Sequence, residues 1–105
     1  MLEQFTDANF SESVERSSTL TIVDFWGEEC APCRALAPVL EQLAVENGAS
    51  VRIGKLKVED NPKTATKYGV RGMPTMLFLM NGEIKEMLVG FRNKAAIQKV
   101  IDAHK

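Results

Sequence analysis

The apolar residues of the chain form two kinds of pattern, and the first consists of short runs that are apolar on both alternating faces. Leu20 to Trp26 and Val51 to Val58 are such runs. A strand of this kind is buried on both sides, as in the centre of a sheet that helices cover on both faces. Met76 to Met80 is the longest apolar run, and it predicts a third strand over Thr75 to Met80.

The second pattern is helical, with apolar residues three or four positions apart. It predicts a long helix that stops at Asn47-Gly48, and its apolar positions are Ala35, Leu36, Val39, Leu40, Leu43 and Ala44. Pro38 lies inside this helix. A proline there removes one backbone hydrogen bond and crowds the preceding turn, so we expect a kink.

Three shorter helices are predicted, from Thr6 or Asp7 to about Arg16, from Asn61-Pro62 to Tyr68-Gly69, and from Asn93 onward. In the first, Phe10 and Val14 lie four residues apart behind a polar cap. In the second, the proline follows its cap residue in the preferred order. The last has one apolar stripe, made of Ala96, Ile97, Val100 and Ile101.

Asn81-Gly82 is a strong signal for a two-residue hairpin, so Glu83 to Val89 should pair antiparallel with the third strand. The element order is then helix, strand, helix, strand, helix, hairpin, helix. Alternating units at the start favour parallel pairing, and the hairpin adds an antiparallel edge. The predicted fold is α/β, with a central mixed sheet flanked by helices on both faces. Among the glycines and prolines, only Gly54 lies inside an element without an evident reason.

Composition narrows the function classes. The chain has 105 residues, 45% hydrophobic and 26% charged, which suits one domain over 1–105. A net charge of -1 gives no electrostatic footprint for nucleic acid. No apolar stretch approaches the ~20 residues that span a bilayer. Because the first residues lack the basic and apolar regions of a secretory signal, we expect a cytoplasmic protein. We also expect it to be a monomer and to have no membrane partner.

The two cysteines, Cys30 and Cys33, form a C-x-x-C motif between a buried strand and a helix. Residues three apart on a helix are close enough for a disulfide. Unpaired N–H groups and the positive end of the helix dipole stabilise a thiolate there. Pro32 fits the first helical turn. These features favour a dithiol redox site.

Two alternative roles for the motif stay open. A structural zinc site normally needs four ligands, and the chain offers only His104 besides the pair, although a homodimer could share ligands. The second alternative is a pair of inert buried thiols. The position of the motif between a strand and a helix argues against it. We therefore expect no metal.

The segment from Val23 to Arg34 resembles the active-site segment of the thioredoxins. Further motifs agree in order and spacing: Pro38, Asp60-Asn61-Pro62, Lys67 to Thr75, Asn81-Gly82 and Val89-Gly90. The resemblance covers essentially the whole chain. It implies the thioredoxin fold and reduction of protein disulfides, with no cofactor besides the reversible Cys30–Cys33 disulfide. The implied partners are client proteins with disulfides and a thioredoxin reductase as electron donor.

The resemblance also implies roles for individual residues. Cys30 would be the exposed attacking thiolate, and Cys33 the buried resolving thiol. Asp24 would accept a proton from Cys33, with Lys55 nearby. Asp24 alternates with apolar residues on its strand, so burial should raise its pKa. From the residues alone, Asp24 could equally be a partly solvated acid at a strand end, and Lys55 part of a solvated face.

The family places a substrate-binding surface around the cysteines, and the corresponding residues here are Trp26, Ala31, Pro32, Gly72, Met73, Pro74 and Gly90. It implies a cis Met73–Pro74 bond that faces the disulfide and leaves the backbone of Met73 free to pair with an extended substrate. The two glycines would line a shallow groove, although either could be a simple turn residue. Trp26 could equally be core filler.

Two residues beside the cysteines depart from the family pattern. Ala31 replaces a glycine, and Glu29, beside Glu28, replaces a tryptophan. The two carboxylates oppose thiolate formation at Cys30 and repel acidic partners, which predicts a narrowed or shifted client set. Neither residue between the cysteines is the histidine of disulfide-forming relatives, which favours a reductant. Two alternatives remain: a dedicated redox partner of one enzyme, and a binding module with incidental redox activity. Whether the chain is an enzyme or an electron carrier stays open.

Overall fold

A five-stranded mixed sheet forms the centre of the protein. The computed structural model describes residues 2–105, and its sheet has the strand order β1-β3-β2-β4-β5. The strands are β1 (Glu3–Gln4), β2 (Thr21–Trp26), β3 (Arg52–Lys57), β4 (Thr75–Met80) and β5 (Glu83–Val89). The helices are α1 (Ala31–Asn47), α2 (Pro62–Lys67) and α3 (Lys94–His104).

The strand directions follow the predicted pattern. β3 runs parallel to both β1 and β2, whereas β4 runs antiparallel to both β2 and β5. β2 is the central strand, and its first five residues are buried. The prediction of a mixed α/β sheet is therefore confirmed, with the doubly apolar run at its centre.

Helices cover the sheet on both faces. On one face, α1 and α3 enclose a cluster that contains Leu20, Ile22, Leu36, Leu40, Leu43, Ile97 and Ile101. The opposite face contains Phe10, Val14, Val23, Phe25, Ala65 and Leu77, with α2 on that side. Because side chains alternate along β2, Asp24 falls on the α1 face, between the positions of Ile22 and Trp26.

The N-terminal region differs from the prediction. A π-helical turn over Ser11–Glu15 replaces the expected helix, and the short strand β1 precedes it. Phe10 and Val14 are nevertheless buried as their spacing indicated. Asp7 does not cap this turn, because its carboxylate accepts hydrogen bonds from the amides of Lys63 and Thr64 at the start of α2. A two-residue strand is too short to produce an alternating pattern.

The other element ends agree with the sequence signals except at the start of α2. α1 passes through Pro38 and ends before Gly48, whose φ is 57°. Asn93 caps α3 by accepting a hydrogen bond from the amide of Ala96. Asn61 precedes α2 but does not cap it with its side chain, since Asp7 already occupies those amides. Asn81 and Gly82 both have positive φ, as the predicted hairpin turn requires.

Gly54 is explained by the packing of Phe5. A Cβ on Gly54 would lie 2.8 Å from Cζ of Phe5 and 2.8 Å from the backbone oxygen of Glu3. β1 pairs with β3 through this residue, with Glu3 opposite Gly54. A glycine in mid-strand therefore allows β1 and the ring of Phe5 to approach β3 closely.

We expect Gly54→Ala to destabilise the protein by about 1–3 kcal/mol, because the added methyl group meets backbone as well as ring atoms. Urea unfolding would measure the change. Gly72→Ala is the matched control, since its Cβ would meet only Cγ1 of Val89, at 3.6 Å. Equal stability of the two variants would contradict the packing argument.

Candidate active site

The two cysteines lie at the junction of β2 and α1 and form a disulfide. β2 ends at Trp26, Cys30 is the N-cap residue of α1, and Pro32 lies in its first turn. The Sγ atoms are 2.14 Å apart and the Cα atoms 5.2 Å. The amide of Cys33 donates a hydrogen bond to Sγ of Cys30 at 3.2 Å. The helix N-terminus thus directs a backbone donor at the sulfur of the first cysteine.

The two cysteines differ only slightly in exposure. Cys30 is 9% exposed and Cys33 is 4% exposed. The expected attacking cysteine is thus the more exposed of the two, and the expected resolving cysteine is the more buried. Cys30 is nevertheless much less exposed than an attacking thiol was expected to be. Ala31 and Pro32, between the cysteines, are exposed and form the rim of the site.

Asp24 is buried beneath this junction. It is 2% exposed, and it pairs in register with Lys55 on one side and Met76 on the other. Among residues 2–105, its Oδ1 atom has no hydrogen-bond partner. Burial raises the pKa of Asp24 to about 7, and the positive charge of Lys55 opposes part of that rise. The alternative of a solvated acid at the strand end is therefore wrong.

A pocket of about 250 Å³ connects Asp24 with Cys33. Its lining consists of Asp24, Trp26, Gly27, Glu28, Cys33, Arg34, Ala37 and Lys55. The buried carboxyl and the second cysteine thus share one small space, which is wide enough for water. A proton could pass between them there, directly or through a water molecule.

Lysine side chains cover the indole ring of Trp26. The Nζ atom of Lys55 lies 5.2 Å from the ring centroid, and that of Lys57 lies 5.7 Å from it. Both lysines are half-buried, so Lys55 is not simply part of a solvated face. Trp26 is half-buried beside the pocket and does not belong to either core cluster. Lys57 was not predicted as a site residue, and only its alternation with Lys55 along the strand could have indicated it.

The two glutamates before Cys30 have different surroundings. Glu28 forms a salt bridge with Lys57, and its amide donates a hydrogen bond to Glu59 at 2.9 Å. This hydrogen bond lowers the pKa of the Glu59 carboxyl. Glu29 is exposed and has no ion-pair partner among the described residues. The prediction treated the two acids as equivalent, but only Glu29 presents an uncompensated charge beside Cys30.

The peptide bond between Met73 and Pro74 is cis, as the resemblance implied. The amide of Gly90 donates to the oxygen of Pro74 at 2.7 Å, and the backbone φ of Gly90 is 93°. Within the described part of the chain, the backbone N–H and C=O of Met73 have no hydrogen-bond partner. Gly72 is half-buried, with Val89 beside it.

Val89 and Phe91 flank Gly90 and are 56% and 43% exposed. They were not predicted as site residues, because an isolated apolar residue at the end of an edge strand or just after it gives no sign of whether it is covered. Their position next to Gly90 extends the apolar surface beside the cis peptide. Within residues 2–105, no three His, Cys, Asp or Glu side chains are grouped as a metal site requires. No helix in that range is long and apolar enough to cross a bilayer.

A redox-active C-x-x-C pair at the start of a helix, on a mixed sheet covered on both faces, is characteristic of the thiol-disulfide oxidoreductases. The family model for thioredoxin matches residues 1–103. The chain therefore belongs to the thioredoxin family, and its α/β architecture is the thioredoxin fold. It is a thiol-disulfide oxidoreductase that works through the Cys30/Cys33 dithiol.

Several relatives agree over nearly the full length. Thioredoxin of Bacillus subtilis is 44% identical over 99 residues, which cover 94% of this chain and 93% of the relative. Thioredoxin of Listeria monocytogenes is 39% identical, with 99% of each chain covered. Thioredoxin 2 of Chlorobaculum tepidum is 41% identical over 94% of this chain and 91% of its own. Members of this family act through a cysteine disulfide without a cofactor, on disulfide-bearing proteins and with a reductase as electron donor.

Proposed function

We propose that this protein is a reductant of protein disulfides in which Cys30 attacks and Cys33 resolves. The observation that carries the assignment is the amide of Cys33, which donates to Sγ of Cys30 at the start of α1. In the reduced protein the same donor, together with the helix dipole, would stabilise a thiolate on Cys30. Cys33 is the less exposed cysteine and lines the pocket beneath the site.

The first step is thiol–disulfide exchange with the client. The Cys30 thiolate attacks one sulfur of the client disulfide, a Cys30–client bond forms, and the other client sulfur leaves as a thiolate. In the second step the Cys33 thiolate attacks Sγ of Cys30 and expels the remaining client thiolate. The client gains two electrons and two protons, and the Cys30–Cys33 disulfide described above is the oxidised product.

Asp24 is the proposed proton acceptor for Cys33. Both residues line the same pocket, and a carboxyl with a pKa of about 7 exchanges protons readily at neutral pH. Lys55 lies opposite Asp24 in register and favours its ionised form. Lys55 is therefore a positioning residue: it acts through Asp24, whose ionised form its positive charge stabilises.

The proposed client site is the groove beside the cis peptide. The free backbone groups of Met73 would pair with an extended client segment, as in the addition of a strand to a sheet. Gly72 and Gly90 keep the approach to this backbone open. Trp26, Ala31, Pro32 and Pro74 form the surroundings of the docked segment.

The partners follow from the family. We expect client proteins with accessible disulfides and a thioredoxin reductase that returns electrons to Cys30–Cys33. We also propose that residues 1–105 form a single domain and that the protein is a cytoplasmic monomer. It needs no cofactor.

Reduction of insulin disulfides with dithiothreitol as electron source tests the function. The wild-type protein should accelerate insulin precipitation strongly over dithiothreitol alone, and no acceleration would contradict the proposal. A Cys33→Ser variant used as a trap in cell extract would hold clients on Cys30. Many trapped proteins would favour a general reductant, and a single trapped protein would favour the dedicated partner of one enzyme.

We expect Glu29→Gln to change client preference and Glu28→Gln to change it little. Glu29 carries a free charge, whereas the charge of Glu28 is compensated by Lys57. The measurement is kcat/KM for two disulfide peptides that differ only in a lysine or a glutamate beside the cysteine. Glu29→Gln should reduce the preference for the lysine peptide about threefold, the size of a rim electrostatic effect. The same change in both variants would contradict this assignment. Glu29→Trp would show what the tryptophan of the family pattern contributes to client preference.

A further inference from the structure

The side chain of Met73 lies against Gly27, in the active-site loop between β2 and α1 that carries Cys30. Its Cε atom is 3.3 Å from the position that a Cβ on Gly27 would occupy. Met73 is half-buried, and Gly27 is buried three residues before Cys30. The flexible thioether therefore fills the space of a missing side chain and connects the cis-peptide loop with the loop that carries the attacking cysteine.

A carboxylate also lies close to Gly27. Oε2 of Glu59 lies 3.4 Å from the same Cβ position on Gly27. This oxygen accepts a hydrogen bond from the amide of Glu28 at 2.9 Å. The hydrogen bond favours the ionised form of Glu59. The methyl group of Met73 and the carboxylate of Glu59, which already accepts a hydrogen bond from the amide of Glu28, thus both border Gly27.

We propose that Met73 is a site of reversible oxidation that regulates docking of clients in the groove. A hydroperoxide transfers one oxygen atom to Sδ of Met73, the thioether becomes a sulfoxide, and the peroxide is reduced to water or an alcohol. The inference rests on the proposed role of the groove, because its effect is on client binding.

The chemistry of the sulfoxide accounts for the effect. A sulfoxide oxygen is a polar acceptor, and the polar side-chain group that shares the space around Gly27 is the carboxylate of Glu59, which is an acceptor as well. Repulsion and the loss of the apolar contact move the side chain out of its place against Gly27. The displaced side chain then lies in the path of a client segment that pairs with the backbone of Met73.

The other methionines within residues 2–105 differ from Met73 in their burial or in their distance from the active site. Met76 is fully buried, and Met80 packs against the core cluster of the α1 face. Met87 is 36% exposed, but it lies on the edge strand opposite Leu77. Met87 is therefore accessible to peroxide without contact with the active-site loops, which makes it a suitable control.

The experiment uses the full chain in its disulfide form, in which neither cysteine is a free thiol. Wild type, Met73→Leu and Met87→Leu are treated with hydrogen peroxide, the oxidised methionines are located by peptide mass spectrometry, and each protein is compared with its own untreated sample. We expect oxidation of Met73 to lower kcat/KM for insulin roughly tenfold, which is the discrimination expected from one altered contact in a pocket. Reduction of a small aromatic disulfide, which needs no groove, should change less than about twofold on the same reasoning.

Peroxide-treated Met87→Leu should lose as much activity as treated wild type, and treated Met73→Leu should lose none. Incubation with both stereospecific methionine sulfoxide reductases should restore the wild-type rate. An equal loss in Met73→Leu, or full oxidation of Met73 with an unchanged rate, would overturn the inference. Inactive untreated wild type would instead overturn the proposed function, so the two failures are distinguishable.

Discussion

Replacing Cys30 by serine should reduce catalysed insulin reduction to the rate with dithiothreitol alone, a loss of at least about 10³-fold. Serine has nearly the shape of cysteine, but its hydroxyl is not ionised at neutral pH and does not attack a disulfide. Cys33 cannot replace it, because Cys33 is the more buried cysteine and its amide donates the hydrogen bond to Sγ of Cys30. The assay is insulin turbidity, with circular dichroism to show that the variant is folded.

Cys33→Ser is the matched control for this result. It keeps Cys30 and its helix N-terminus but lacks the second thiol, so one client should remain bound through a mixed disulfide. A single exchange event without turnover should be visible as a mass increase on non-reducing gels. If Cys30→Ser trapped clients and Cys33→Ser turned over, the two roles would have to be exchanged.

The fold was predictable wherever a local signal and the buried pattern agreed. The run from Leu20 to Trp26 indicated the central strand because it is apolar on both faces, and Asn81-Gly82 fixed the hairpin through its positive φ angles. The N-terminal π-helical turn was not predictable, since its hydrogen bonds depend on the tertiary position of the segment. Asp7 shows the same limit, because it caps a helix that begins 55 positions later.

The site was predictable only in part. The spacing of Cys30 and Cys33 and the apolar neighbours of Asp24 are local properties that the sequence displays directly. The pairing of Glu28 with Lys57 is not, because it joins a loop to a strand far away in the sequence. The contact of Met73 with Gly27 likewise arises only when two loops meet. The residues that carry the chemistry could therefore be predicted from the sequence, whereas the ion pairs and loop contacts around them could not.

Removing the carboxyl of Asp24 should stabilise the protein, and increasingly so as the pH rises. In the folded protein the pKa of Asp24 is about 7, against 3.8 for an unperturbed aspartate. Below about pH 4 the group is protonated in both states and costs nothing. As the pH rises, the unfolded chain ionises first, so the folded state loses stability until its own carboxyl ionises near pH 7. One pKa unit corresponds to about 1.4 kcal/mol, so the full loss is about 4 kcal/mol.

Asp24→Asn isolates this effect from that of other acids. Hydrogen bonds lower the pKa values of Asp7, Glu15 and Glu59 in the folded state, so those groups gain stability as the pH rises and oppose the trend in the wild type. They are common to both proteins and cancel in the difference. Urea unfolding of the disulfide forms should show equal stabilities near about pH 4 and an advantage for the variant of about 2–4 kcal/mol near about pH 8. The buried amide of asparagine has its own desolvation cost, which places the result below the full loss.

The control Asp102→Asn removes the same charge from an exposed position on α3, so it corrects for any general effect of net charge. A constant advantage of Asp24→Asn at every pH would contradict the assignment, because a simple packing gain does not titrate. The same variant separates stability from chemistry. If Asp24 accepts the proton of Cys33, Asp24→Asn should slow release of the mixed disulfide although the folded state is more stable. That result would identify the resolving step as the reason for a carboxyl that lowers the stability of the folded state, and an unchanged rate of release would contradict the proposed role of Asp24.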